Sequence, residues 1–214
     1  MCTRIQRERY SLLKEKICKR YPDAKIRYKE NHWLWKRLPR ALRESGTTIG
    51  NTIWMPHAED YNFEMLAHEY QHLVDFNEMG MLGFMMMYIN PQAIAPFWFF
   101  IAAVAIGFQL PYFALLMASV GIIFLLPWPS RSRSFLEMRG YMMNLYIWQT
   151  YYKDDSKYME DFVVDSIRSW LYYKMVWTRK QAQQIVQEAV RILSNRDCIP
   201  NISVAFQDVH DIID

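Results

Sequence analysis

Two histidines four residues apart, with a glutamate directly after the first, form the part of the chain best suited to chemistry: His68, Glu69 and His72 in LAHEYQHLVDF. On an α-helix, residues i and i+4 project from one face, so both imidazoles can point at one ion. Zinc accepts imidazole nitrogens at about 2.0–2.1 Å. Glu69 lies about 100° around the helix from His68, where a carboxylate can reach a metal-bound water without being a ligand. The pattern predicts a zinc site in which Glu69 takes a proton from that water.

A third protein ligand is usual at a catalytic zinc, and Glu137 is the strongest candidate. It lies near the start of a second long helix, predicted from about Ser134, that can face the first. The 65 residues from His72 to Glu137 become 26 when the apolar segment 91–129 is set aside, an ordinary helix–loop–helix separation. An alternative stays open, because Ser134-x-x-Glu137 also fits a capping box, in which the glutamate only satisfies the helix start.

Two other acids follow the histidines. Glu78 is six residues after His72 and is a minor candidate ligand. Asp75 lies about 10 Å from His68 along a continuous helix, so it cannot share an ion with both histidines. We interpret Asp75 as a residue that supports a ligand or as an exposed acid.

Between Glu78 and Arg131 the chain has no charged residue and no histidine. The stretches 93–108 and 110–128 are apolar over 16 and 19 residues. As helices they would rise about 24 and 28 Å, close to the hydrocarbon thickness of about 30 Å. We therefore predict a transmembrane-like hairpin, inserted between the two zinc-binding helices, that returns the chain to its starting side.

Aromatic and basic residues at the ends of this hairpin suit a membrane interface: Trp98, Trp128, Arg131 and Arg133. All 25 Lys and Arg lie outside the apolar window, so the positive-inside tendency predicts a membrane-associated protein whose zinc site faces the cytoplasm. The alternative is a hairpin buried in a viral particle or another large protein assembly.

Charge and cysteine content restrict the partners and the cellular compartment that the sequence predicts. Residues 1–50 hold 14 basic and 5 acidic residues, which fits either a solvated helix face or contact with an anionic membrane. Nucleic acid is an unlikely partner, because no recognisable binding motif accompanies the charge. The N-terminus is too charged for a secretory signal peptide, and three widely spaced cysteines predict a reducing compartment without disulfides.

The remaining patterns predict a single α+β domain, mostly helical with a small sheet. Its parts are an N-terminal segment 1–90, the apolar hairpin 91–129 and a helical segment 130–214. The N-terminal helix has Ile5, Leu12, Leu13 and Ile17 as candidate buried positions. The other predicted elements are strands at 23–30 and 47–56, a short helix or connector at 32–42, a HEYQH helix capped by Asp60 or Asn62, helices at 158–173 and 179–194, and a polar C-terminal tail.

A β-branched strand, then HEYQH on a helix, then a glutamate on a following helix resembles the zincin metallopeptidases, and among them the gluzincins. The resemblance covers roughly residues 20–90 and 130–152. It implies that His68, His72 and Glu137 bind zinc and that Glu69 is the general base. It also implies that the strand at 47–54 is the edge that pairs with an extended peptide substrate.

The chain departs from the best-known gluzincins at Tyr141, which stands where they carry an acid four residues after the helix glutamate. No residue clearly matches a stabiliser of the transition state, for which Tyr141, Arg139 and His57 are candidates. The function we expect is a zinc-dependent metallopeptidase that acts on peptide or protein substrates and is anchored by its hairpin. The alternative is a non-catalytic structural or assembly protein, such as a viral particle component, with a zincin-like fold.

Overall fold

The computed structural model of the chain describes residues 4–58, 61–126, 128–152, 156–169, 175–194 and 202–213. Within these ranges the chain is mostly helical with one small sheet, as the sequence predicts for an α+β domain. In chain order the elements are α1 (Arg4–Arg20), β1 (Lys25–Tyr28), α2 (Trp33–Lys36), α3 (Arg40–Glu44), β2 (Thr47–Ile49), β3 (Thr52–Met55), α4 (Phe63–Ile89), α5 (Ala95–Gly107), α6 (Pro111–Leu125), α7 (Arg131–Ile147), α8 (Ser156–Arg168), α9 (Arg179–Leu193) and α10 (Val204–Ile213).

The sheet has the strand order β1-β3-β2, with β1 parallel and β2 antiparallel to the central strand β3. The prediction of one strand over 47–56 was wrong, because β2 and β3 are separate strands joined by a turn at Gly50 and Asn51. Gly50 has a φ of 57°, a left-handed conformation that a glycine adopts without a steric penalty. Such two-residue turns reverse the chain between antiparallel strands. The turn leaves β2 at one edge of the sheet.

Helix α1 packs on the core through Tyr10, Leu13 and Ile17, a stripe spaced by three and four residues. The predicted burial of Leu13 and Ile17 is confirmed. For Ile5 and Leu12 it was wrong, since both are half exposed. Each of these two residues lies off the stripe defined by Tyr10, Leu13 and Ile17.

The core joins the segments on both sides of the apolar hairpin. Its buried side chains come from β3, α4, α7, α8, α9 and α10 as well as from α1. The expected polar C-terminal tail was wrong: α10 begins after Ser203, whose hydroxyl accepts a hydrogen bond from the Phe206 amide at 3.3 Å. Ala205, Phe206 and Val209 are fully buried. Acidic residues and a histidine occupy the intervening positions and lower the overall hydropathy of this segment.

A carboxylate on α10 joins three helices of the core. Asp208 accepts hydrogen bonds from Tyr70 of α4 at 2.6 Å and from Arg20 of α1 at 2.9 and 3.0 Å. Burial raises the pKa of Asp208, but the hydrogen bonds from Arg20 and Tyr70 outweigh it and lower the pKa overall. The stabilisation is therefore present above the unfolded pKa of about 4 and is lost as the pH falls through the lower folded value.

We expect Asp208→Asn to lower the free energy of unfolding by about 2 kcal/mol at pH 7, because hydrogen bonds to charged groups contribute roughly 1.5–3 kcal/mol. The matched control is Asp211→Asn. Asp211 lies on α10 like Asp208 and pairs with Lys16 of α1, but its side chain is 43% exposed. This control should change stability by no more than about 0.5 kcal/mol. Thermal unfolding of the three proteins measures the difference, and equal midpoints for Asp208→Asn and wild type would contradict the assignment.

Helix α4 breaks at Gly80, which has a φ of 71° and a ψ of 167°. On a straight helix the 16 residues from His72 to Tyr88 would span about 24 Å. The two rings are instead 6.3 Å apart, because the chain turns back at Gly80. The second part of α4 therefore returns to the histidines.

The apolar segment forms a helical hairpin, in which Trp98 of α5 stacks on Phe124 of α6 with ring centroids 6.3 Å apart. Its helices have only 13 and 15 residues, so each rises about 20–22 Å, less than the expected spans. Over the described ranges no single helix has both the length and the apolar composition to cross a membrane. Phe63–Ile89 and Gln92–Gly107 meet that criterion only as a pair bent by 101°.

The base of the hairpin is fixed by Arg133. This side chain was expected at a membrane interface, but it is buried. Its guanidinium donates to the backbone carbonyls of Tyr88 and Asn90 at 2.7 and 3.3 Å and to Oε1 of Gln92 at 2.8 Å. These bonds satisfy carbonyls at the end of α4, where a helix leaves its last acceptors unpaired. Arg133 therefore ties α7 to the end of α4.

Candidate metal centre

The first part of α4 carries the predicted ligands. Its N-cap is Asn62, whose side chain accepts a hydrogen bond from the Met65 amide at 2.9 Å. Asp60, the other candidate cap, lies outside the described residues. His68, Glu69 and His72 are all buried, so the second and third turns of the helix hold them in a protected site.

His68, His72 and Glu137 come together as predicted. The Nε2 atoms of the histidines are 3.2 Å apart, and each lies 3.7 Å from a carboxylate oxygen of Glu137. Tetrahedral zinc with bonds of about 2.0–2.1 Å separates its ligand atoms by roughly 3.3 Å. The donor atoms thus fit a zinc ion held by two imidazoles and one carboxylate, a ligand set of catalytic zinc sites. The structure thus supports a metal-binding cluster, and among metals its donor set favours zinc.

The position of Glu137 is set by α7. The N-cap of that helix is Ser130, which accepts a hydrogen bond from the Arg133 amide at 3.3 Å, so Ser134 lies inside the helix. The capping-box alternative for Glu137 was therefore wrong. Gly140, one turn further on, lies against His68: a Cβ added there would be 2.7 Å from the imidazole Nε2. This close approach of α7 to α4 lets the Glu137 carboxylate reach both histidines.

The ligand cluster is electrostatically coupled. Burial by itself lowers the pKa of His72, but the Glu137 carboxylate outweighs it and raises the pKa to about 9. Burial also raises the pKa of Glu137, and the two histidines outweigh that effect and hold it well below its usual range. The raised pKa of His72 therefore favours a protonated imidazole when no metal ion is bound.

This coupling predicts proton release on metal binding. Zinc binds the neutral imidazole, so at pH 7 we expect the chain to release about one proton per zinc ion bound. Because the pKa of His72 is raised to about 9, apparent zinc affinity should increase as the pH rises from 6 towards 9. Titration calorimetry in buffers of different ionisation enthalpy measures the proton count. An affinity independent of pH over that range would contradict the charged state of His72.

The carboxylate of Glu69 is held by Thr48 of β2 and by Gly46, the residue before β2. The Thr48 hydroxyl lies 2.8 Å from Glu69 Oε2 and 3.0 Å from the Glu69 carbonyl oxygen. A Cβ at Gly46 would be 2.6 Å from both Cγ and Oε1 of Glu69. Oε2 is thus bonded to a donor, and the rest of the carboxylate is packed against Gly46.

Tyr88 is a site residue that sequence reasoning missed. Its hydroxyl donates a short hydrogen bond to Oε1 of Glu137. Gly80 is the one signal in the sequence that could have indicated this contact, and glycine alone does not specify the direction of a break. Thr48, Gly46 and Gly140 were also missed, since their roles depend on packing between elements.

The other predicted residues have different partners. Asp75 is fully buried; it lies 3.2 Å from an Arg139 nitrogen and accepts a hydrogen bond from Gln71 at 2.8 Å. Of the two interpretations of Asp75, the exposed acid was wrong. Glu78 is half exposed and outside the ligand cluster. His57 pairs with a glutamate in an exposed position, whereas Tyr141 packs edge-on against His68 at 4.9 Å.

A cavity of about 900 Å³ opens beside the ligands. β2 lines it on one side, and its rim includes exposed apolar side chains from three elements, among them Ile49, Met81, Met85 and Phe162. An extended chain of several residues fits a space of this size. The free edge of β2 is where backbone hydrogen bonds to such a chain are available.

Comparison with known proteins gives no match: no protein-family model, no curated protein and no solved structure corresponds to the chain. The resemblance to zincins therefore rests on the motif and on the geometry of the site. A function has to be argued from the chemistry of these residues.

Proposed function

We propose that the chain is a zinc-dependent metallopeptidase. The observation that carries the proposal is the cluster of His68, His72 and Glu137, with the carboxylate of Glu69 beside it on the same helix. A site that only stabilises the fold needs ligands, but it does not need a separate carboxylate held beside them. The open cavity beside the ligands and the edge strand β2 supply room for a peptide.

Each residue then has a part in the reaction. His68, His72 and Glu137 would hold a zinc ion, whose chemistry would be to lower the pKa of a bound water and to polarise a carbonyl group. The Glu69 carboxylate accepts a proton from the water and returns it to the leaving amine, while the Thr48 hydroxyl holds the carboxylate through Oε2. The β2 backbone binds the substrate in an extended conformation, and Tyr88 orients the Glu137 carboxylate.

Peptide cleavage in a complex mixture tests the proposal directly. Zinc-loaded protein is incubated with a proteome-derived peptide library, and new termini are identified by mass spectrometry. Cleavages should cease with a chelator and return on addition of zinc. An absence of cleavage by protein shown to contain stoichiometric zinc would reject the peptidase assignment.

The proposal includes a membrane anchor. The hairpin exposes large apolar side chains along both helices, among them Phe100, Phe108 and Leu115. The second part of α4 also exposes apolar side chains, with Leu82 75% exposed and Met81 66%. Met81 lines the cavity as well, so exposed apolar side chains stand at the rim of the site. With all Lys and Arg outside the hairpin, the positive-inside tendency favours a zinc site facing the cytoplasm.

A protein assembly is the second candidate, favoured by one observation. The helices of the hairpin have 13 and 15 residues, and neither alone reaches across the hydrocarbon core. Packing against protein subunits, as in a viral particle, covers such short helices equally well. In that case the metal would serve the fold and no cleavage would be observed.

Removing the hairpin separates these two candidates. Replacing 91–129 by a short Gly/Ser linker should release the protein from membranes and keep zinc bound, because the ligands lie outside this segment. Flotation of wild type and deletion variant with liposomes, followed by metal analysis, measures both effects. If wild type is a monomer that is soluble without detergent, the anchor is wrong; a lipid-free particle of many copies supports the assembly.

A further inference from the structure

A buried lysine lies beside the candidate active site without touching the metal ligands. Lys29 is 2% exposed and stands at the end of β1. Its ammonium donates three hydrogen bonds of 2.7 Å each, to the carbonyl oxygens of Leu42 and Ser45 and to the hydroxyl oxygen of Thr47. It also lies over the ring of Trp35, 4.3 Å from the centroid. All three donors of the ammonium are therefore in use.

Burying this charge is costly. Desolvation lowers the pKa of Lys29 to about 8, and the carboxylate of Glu69 acts in the opposite direction. A methionine or leucine would fill the space without that penalty, but it could not hold three oxygen atoms together. The lysine thus fixes the loop between α3 and β2 in one conformation.

That loop is what holds Glu69. Gly46 touches the Glu69 side chain so closely that a Cβ would overlap it, and Thr48 donates to Oε2 at 2.8 Å. The Lys29 contacts at 42, 45 and 47 surround Gly46 and end one residue before Thr48. A shift of this loop would move both contacts of the carboxylate together.

We infer that Lys29 is a positioning residue for Glu69: its ammonium holds residues 42–48 against α4 and so fixes the orientation of the carboxylate. The inference rests on the proposed function, in which Glu69 is the general base. Misplacing a catalytic group by about 1 Å can cost roughly a hundredfold in rate. The expected effect is therefore on turnover, while zinc binding stays intact.

Lys29→Met in the full-length protein tests this role. We expect kcat to fall roughly tenfold to hundredfold, KM to change less than about threefold, and zinc content to equal that of wild type. Amide hydrogen exchange in 42–48 should become at least about tenfold faster, while the first part of α4 keeps its protection. Thr47→Val removes one of the three acceptors, so it should lower kcat and speed the exchange of 42–48 to a smaller extent than Lys29→Met does. It takes the place of Lys29→Met in the test if that variant does not fold.

Two controls separate positioning from a general loss of stability. Lys25→Met removes an exposed lysine from β1, the strand that leads to Lys29, and should leave turnover and exchange unchanged. Asp208→Asn weakens a core contact among α1, α4 and α10 that includes no residue of 42–48, so it should lower stability without changing kcat or the exchange of 42–48. Three results for Lys29→Met would each overturn the inference: a kcat equal to that of wild type, unchanged exchange in 42–48, or loss of zinc. If wild type shows no hydrolysis at all, the proposed function fails, whereas hydrogen exchange still reports whether Lys29 holds the loop.

Discussion

Glu69→Gln is expected to lower peptide turnover by roughly 10²–10⁴-fold while zinc remains bound. The amide keeps the shape of the side chain and can still accept the Thr48 hydrogen bond through its oxygen. It cannot accept a proton from water at neutral pH. Since His68, His72 and Glu137 supply the donor atoms, the metal site itself should be unaffected. Single-turnover kinetics and metal analysis of the same preparation measure the two properties together.

The matched control for this variant is Glu78→Gln. Glu78 lies on the same helix, is half exposed and stands outside the ligand cluster. Its replacement should leave turnover within about twofold of wild type, since surface substitutions of this kind have small effects. Undiminished turnover by zinc-loaded Glu69→Gln would contradict the role of Glu69 and leave the cluster without its proposed base.

The local part of the site could be predicted from the sequence. His68 and His72 are related by one turn of one helix, so their common direction depends on helix geometry alone. Glu137 required one further step, the recognition that the apolar hairpin is an insertion. Once the hairpin is removed, two helices joined by an ordinary connection are expected to pack side by side.

Other features depend on contacts that no local pattern encodes. The return of Tyr88 depends on the conformation of Gly80, and a glycine in a helical pattern is compatible with a straight helix as well as with a break. Lys29 looks like any charged residue at the end of a strand, and its burial follows from oxygen atoms that come together only in the folded loop. Gly50 marked a turn, but the β-branched residues around it also fit one continuous strand.

The third ligand is the part of the site with the largest expected effect on metal binding. Glu137→Gln should weaken zinc affinity by more than a hundredfold, since loss of a residue that merely supports a ligand already costs roughly 10–100-fold. Helix α7 should be retained, because Ser130 and not Glu137 caps it. A neutral amide is a much poorer partner for a divalent cation than a carboxylate. This loss should outweigh the easier deprotonation of His72 that follows when the Glu137 charge is removed.

Tyr88→Phe is the matched variant for this experiment. It removes the hydroxyl that donates to Glu137 but leaves every proposed zinc ligand in place. We expect a loss of zinc affinity of roughly 10–100-fold, smaller than that of Glu137→Gln. Competition titration with a zinc-chelating dye ranks the two variants, and circular dichroism confirms that their helix content is unchanged. If Glu137→Gln binds zinc as tightly as wild type, Glu137 is not a ligand. If Tyr88→Phe loses more zinc affinity than Glu137→Gln does, the roles assigned to the two residues are reversed.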